Sequence, residues 1–176
     1  MDWLPNEDAI RYFTEQIMPR IKQAVPEVTL TVVGRDPYPS LVELSKHDPS
    51  IIVTGRVEDV RPFIEDAAVY IVPLRIGGGT RLKIYEAMAM EKPIVSTSVG
   101  AEGLPIVDGK EILLADTPEE FAEAVIRLFR NESLAAEIGE RAATTVREKF
   151  GWQTVADKFA SICESVAADK RVQQIA

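Results

Sequence analysis

Between Val69 and Val95 the chain reads VYIVPLRIGGGTRLKIYEAMAMEKPIV: an apolar strand, three glycines, the cations Arg81 and Lys83, a helical stretch carrying Glu86, and a second apolar strand. Gly77, Gly78 and Gly79 fall where strand hands over to helix. Lacking Cβ atoms, they can turn successive backbone N–H groups toward one anion without steric cost. The free N–H groups and positive end of the following helix add to that attraction. The chemistry this spacing allows is the holding of a diphosphate. The same residues also fit a plain turn followed by solvated helix charges. Favouring the first reading, glycines and cations are concentrated here in a chain whose net charge is −8.

That charge argues against a general nucleic-acid or anionic-membrane surface, because such partners are held mainly by clustered Lys and Arg. Any anionic ligand must be held by local geometry. The lone Cys163 cannot form an internal disulfide and is expected to pack in a helical stretch; the lone His47 sits in a polar turn and reads as a surface residue. One His and one Cys give no transition-metal cluster. No Ser-centred nucleophile elbow, Walker-type loop or GxGxxG at a first strand is present, so hydrolase, NTPase and dinucleotide-oxidoreductase readings lack their motifs. The opening MDWLPNEDAI has neither a basic region nor an apolar run, and no stretch approaches the roughly 20 apolar residues of a membrane span, which predicts a soluble, cytoplasmic chain without a transmembrane segment.

The elements that must position the glycine turn follow from periodicity. Asn6, Glu7 and Asp8 read as a helix start, and Ile10, Phe13, Ile17, Ile21 and Val25 carry that helix to Pro26. Thr29 to Gly34 and Ile51 to Gly55 read as strands, Tyr38 to Lys46 and Glu58 to Ala67 as helices, and Glu111 to Ala115 as a last short strand. Thr117, Pro118 and Glu120 spell a capping box for a helix striped by Phe121, Val125, Leu128 and Phe129. Two more helices follow, split at Gly151, with Trp152 and Phe159 expected to pack the last one. At 176 residues this is one domain. The expected boundaries are residues 1–168, with 169–176 as a frayed tail. Apolar strands alternating with helices predict an α/β fold: a doubly wound, Rossmann-like parallel sheet covered by helices on both faces. Such folds usually open on a strand. This one opens on a helix, which fits either a missing first strand or a fold that starts with a helix.

With the downstream VGAEGL, DGKEILLAD and TPEEFAEAVIRLF, the segment PLRIGGGTRLKIYEAMAMEKPIV resembles the C-terminal, donor-binding half of family 4 glycosyltransferases of the GT-B type. The resemblance covers nearly the whole chain. It implies transfer of a sugar from a nucleotide-diphosphate donor, of UDP or GDP type, to a hydroxyl acceptor. It further implies retention at the anomeric carbon, no metal or other cofactor, and a role in polysaccharide or glycoconjugate synthesis. The partner it implies is an N-terminal acceptor-binding half, missing here, without which the chain is an incomplete enzyme. It also implies that a strand ending in a glycine-containing loop precedes MDWLPNEDAI.

Residue by residue, Glu86 matches the second Glu of the family's acidic motif and is implied to bind the ribose hydroxyls. The motif's first Glu falls at Gly78, a departure that alters the expected contact to the donor sugar. Gly77, Gly78, Gly79 and Thr80 are implied to cradle the diphosphate, Arg81 and Lys83 to neutralise it as the glycosidic bond breaks, and Gly55, Arg56 and Val57 to approach the base. The loop Val99 to Leu104, with Glu102 at its tip, is implied to border the cleft. The competing readings are a non-catalytic interaction module on the same scaffold and a nucleotide-sugar epimerase. An uncovered last helix would favour self-association.

Overall fold

The opening periodicity does form a helix, interrupted at its centre. In the computed structural model, which describes residues 3–79 and 81–173 and the backbone alone from 167 onward, α1 runs Leu4–Tyr12, a π-helical turn covers Phe13–Ile17, and α2 continues Met18–Ala24. Pro19 supplies the reason. It has no N–H for the carbonyl of Glu15 and its ring crowds that carbonyl, so a widened turn ahead of it relieves both. The helix begins at Leu4, ahead of the expected Asn6 boundary, with Trp3 as its cap and Pro5 in the first turn. Proline is tolerated there because first-turn N–H groups have no intrahelical acceptor. Asn6 is therefore not a cap, and its side chain is left for another partner.

The remaining elements follow the expected order with trimmed ends: β1 Leu30–Val33, α3 Pro39–His47, β2 Ile51–Gly55, α4 Arg61–Asp66, β3 Tyr70–Val72, α5 Leu82–Ala89, β4 Ile94–Ser96, β5 Leu113–Leu114, α6 Pro118–Arg130, α7 Glu132–Phe150 and α8 Trp152–Gln173. The helix runs through residues 169–173, past the expected start of fraying. Thr117 and Glu120 form the capping box in both directions.

Every strand pairing is parallel, but the sheet comes in two parts, β1-β2 and β3-β4-β5. No ladder joins β1 to β3 among the described residues. Side-chain alternation across the strands divides the core between the two faces. Leu30, Val32, Val95 and Leu113 meet Phe13, Ile21 and Phe121 on one, while Val72, Ile94 and Ile112 meet Ile84, Met88 and Ala142 on the other. The helix α5 ends with Glu91 in the left-handed region (φ 60°), where Glu91 N–H donates to Met88 and Lys92 N–H to Ala87. This closes its last carbonyls. Helix α7 then lies against that turn.

The last helix departs from expectation. It packs against α7, yet its apolar stripe faces outward, with Trp152 89% and Phe159 68% exposed beside Val155, Ile162 and Val166. Cys163 is exposed as well, not packed. Helical spacing identified the stripe correctly, but spacing alone does not say which element covers it.

Candidate functional site

The glycine turn sits at the carboxyl end of β3. Gly77 and Gly79 have φ of 140° and 89°, backbone that L side chains rarely adopt, whereas Gly78 is exposed with open space around it. Thr80 lies outside the described residues. The turn is anchored from below. Arg81 is only 4% exposed, and its guanidinium donates to the Gly78 carbonyl at 3.1 Å and to the Val99 carbonyl at 3.0 Å. It thus links the turn to the loop after β4. Its Nε is buried without a partner.

The loop after β4 is itself fixed. Ser96 Oγ donates to the Val72 carbonyl at 3.3 Å, Thr97 Oγ1 to the Leu74 carbonyl, and Gly100 N–H to Thr97 Oγ1 at 2.9 Å. Gly100 is required here, because a Cβ would stand 2.4 Å from Ser96 Oγ and 2.8 Å from the Val72 carbonyl oxygen. Ser96 and Thr97 are among the few buried polar residues. The sequence motifs do not single out either one, although two hydroxyls directly after an apolar strand are a usable sign of stitched strand ends.

Lys83 and Glu86 lie on α5 and line the end of a groove of about 770 Å³ that separates β1 from β3. Lys83 is half-buried and donates to Asn6 Oδ1 at 3.2 Å. Burial, then the charge of Arg81, pushes its ammonium pKa below the ordinary lysine value. Glu86 is exposed; it and burial raise the Tyr70 phenol to about 12, burial being the larger cause. Among the described residues neither Arg81 nor Lys83 has a carboxylate partner, although seven ion pairs form elsewhere. The turn and the start of α5 therefore bring two such cations close together.

The first turns of α1 close over this region, which no sequence motif announced. Arg75 pairs with Asp8 through two hydrogen bonds of 2.6 and 3.1 Å and stacks 4.4 Å from the Tyr12 ring centroid. Gly55, Arg56 and Val57 lie at the end of β2 and do not line the groove that Lys83 and Glu86 line. Glu102 is exposed in the loop whose Val99 carbonyl Arg81 holds. No group of three His, Cys, Asp or Glu side chains able to hold a metal occurs among the described residues. Nor is any described helix long and apolar enough to cross a membrane.

The sequence profile of the group 1 glycosyl transferases matches residues 2–131. The chain belongs to that family. As a group 1 glycosyltransferase it is 30% identical, over 145 residues, to the trehalose synthase of Thermococcus litoralis, a match covering 74% of this chain and 35% of that protein. It spans less than half the length of the curated relatives it matches first. Among solved structures, Staphylococcus aureus TarM in complex with fondaparinux, alpha-GlcNAc-glycerol and UDP superposes with a TM-score of 0.75 at 20% identity, over 92% of this chain and 33% of TarM. Anabaena HepE in complex with UDP and glucose gives 0.70 at 17% identity, over 85% of this chain and 44% of HepE. The shared fold is GT-B, to which the parallel strands flanked by helices belong.

Proposed function

We propose that this glycosyltransferase domain binds the donor, a nucleotide-diphosphate sugar of UDP or GDP type, and that it acts with an acceptor-binding half in retaining transfer to a hydroxyl, in polysaccharide or glycoconjugate synthesis. The observation that carries the reading is the pair of cations that have no carboxylate partner among the described residues, at a glycine turn in an acidic chain. A buried charge without a counter-ion is costly, and an anion on the turn would offset that cost. UDP in the TarM and HepE complexes supports the ligand class.

In this reading the amides of Gly77 to Gly79, with Thr80, cradle the diphosphate, and Lys83 reaches it from the groove. Arg81 acts from beneath, fixing the turn and adding its charge. As the glycosidic bond breaks, negative charge accumulates on the leaving diphosphate, and donors already aimed at it stabilise that charge without reorganising. Glu86 accepts from the ribose hydroxyls. Gly78 leaves the donor sugar without a carboxylate at that position, and Gly55, Arg56 and Val57 approach the base.

Calorimetric titration with UDP, GDP and ADP tests this. One nucleotide binding in the micromolar to millimolar range is expected, and no heat from a folded chain would remove the donor-site reading. Glu86→Ala should weaken that binding by about 1–3 kcal/mol, the scale for losing a charge-assisted hydrogen bond. Unchanged affinity would move the ribose elsewhere.

Lys83 adds a pH signature. Its pKa is lowered in the free chain and a bound diphosphate favours the charged ammonium, so binding takes up protons and weakens as pH rises through the free-chain value. Titrations in two buffers of different ionisation enthalpy at alkaline pH should show that uptake, and Lys83→Met should abolish it.

A further inference from the structure

Lys83 and Glu86 stand three residues apart on α5, a spacing at which opposite charges on a helix meet. The same spacing produces an ion pair on α3, where Lys46 Nζ lies 2.6 Å from Glu43 Oε1. On α5 no such pair forms among the described residues. The Lys83 ammonium leaves its own helix and donates to Asn6 Oδ1 at 3.2 Å, a partner 77 positions away in sequence. Glu86 stays exposed, near enough to Tyr70 to help raise its phenol. Asn6, Tyr70, Lys83 and Glu86 line one groove.

What α1 presents to Lys83 is selective. Asn6, Glu7 and Asp8 follow one another in its sequence, and two of the three are carboxylates. Both carboxylates are engaged elsewhere: Glu7 Oε1 accepts from Ser40 Oγ on α3 at 2.6 Å, and Asp8 Oδ1 accepts from Arg75 at 2.6 Å. Arg81, whose charge acts on Lys83, has the same sign as Lys83. The member of the three that meets the ammonium is the neutral one. An amide oxygen fixes an ammonium through a hydrogen bond and cancels none of its charge, whereas a carboxylate fixes it and neutralises it.

We propose that Asn6 is a positioning residue for the anion site: by drawing Lys83 toward α1, it keeps Lys83 and Glu86 from pairing with each other. The ammonium is thereby left for an anion and the carboxylate for hydroxyl groups. Their assignment to the diphosphate and ribose of a nucleotide rests on the donor-site reading; the separation of the two charges does not. A ligand that first had to break a Lys83–Glu86 pair would lose part of the gain from both contacts, so holding them apart in the free chain favours binding.

Asn6→Ala tests the separation in the chain as it stands, with the Lys83 ammonium followed by NMR of its Cε as pH rises and identified by its absence from Lys83→Met. Freed from Asn6, Lys83 should fall onto Glu86, and its midpoint should rise by about one pH unit. In a Glu86→Gln background the same substitution should not raise it. A rise that persists in that background would show water entering around a loosened α1 and would overturn the proposal, as would no rise at all. Titration with UDP, GDP and ADP reads the ligand side. Asn6→Ala should weaken whichever nucleotide binds by about fivefold, and the isosteric Asn6→Asp by about tenfold or more, because the new carboxylate keeps the contact and cancels the charge. An acid is favoured in the first turn of a helix, so weaker binding by Asn6→Asp is not a failure to fold. Equal or tighter binding by that protein would overturn the proposal. With Lys83→Met already present, Asn6→Ala should cost nothing more; an undiminished loss there would leave Asn6 no role through Lys83. No heat from the unaltered chain would remove the donor-site reading and leave the separation of the two charges to stand or fall on the NMR midpoints.

Discussion

Arg81→Leu is expected to weaken nucleotide binding by about 2–3 kcal/mol, roughly 30- to 150-fold, which is the loss of one charge-assisted hydrogen-bonding group from a dry site. The guanidinium holds two carbonyls belonging to different loops, Gly78 and Val99, so its removal frees the glycine turn as well as deleting a charge. Arg81→Lys separates these contributions. An ammonium keeps the charge but lacks the planar fork that reaches both carbonyls, so a loss of about tenfold is expected, intermediate between the other two proteins. Affinity should be measured by titration beside thermal unfolding. An Arg81→Leu protein that is folded and binds with unchanged affinity would relegate Arg81 to packing.

Most of the fold was legible because its signals are local. The capping box at Thr117 and Glu120, the apolar runs of β1 to β4 and the stripe of α6 are each set within a few residues, and the structure realises them. Signals that depend on a neighbour misled. Asn6 has the composition of a cap, yet Pro5 allows the helix to start earlier and Asn6 meets Lys83 instead. Trp152, Phe159 and Cys163 repeat with helical spacing, but nothing among the described residues covers them.

The candidate site was legible in composition and not in depth. Three glycines and two cations after a strand marked the turn, but a sequence gives no reason to place Arg81 under it and Lys83 beside it. That difference comes from the Val99 carbonyl, held in reach by Thr97 and Gly100, residues brought to β3 only by the parallel pairing of β3 with β4. Neither the break between β1 and β3 nor its walls were legible, since an opening helix fits a missing first strand and a helix-first fold alike. Those walls combine residues spread along the chain from α1 to α6.

Gly139→Ala sets two effects of opposite sign against each other. In a helix interior alanine is favoured over glycine by about 1 kcal/mol, so propensity alone predicts a more stable protein. At this position, however, a Cβ would stand 2.0 Å from the Glu91 carbonyl oxygen and 2.8 Å from its carbon. Those atoms are backbone, in the left-handed turn that closes α5, and cannot swing aside as a side chain would. Overpacking against a fixed neighbour costs about 3 kcal/mol, so the net expectation is a loss of about 2 kcal/mol. For a chain of this length that lowers the thermal midpoint by about 4–8 °C. Because α7 packs on α5, the helix carrying Lys83 and Glu86, nucleotide affinity should fall with it. A raised midpoint would mean that α7 does not approach Glu91 this closely, and that α5 is held in place by its hydrophobic contacts alone.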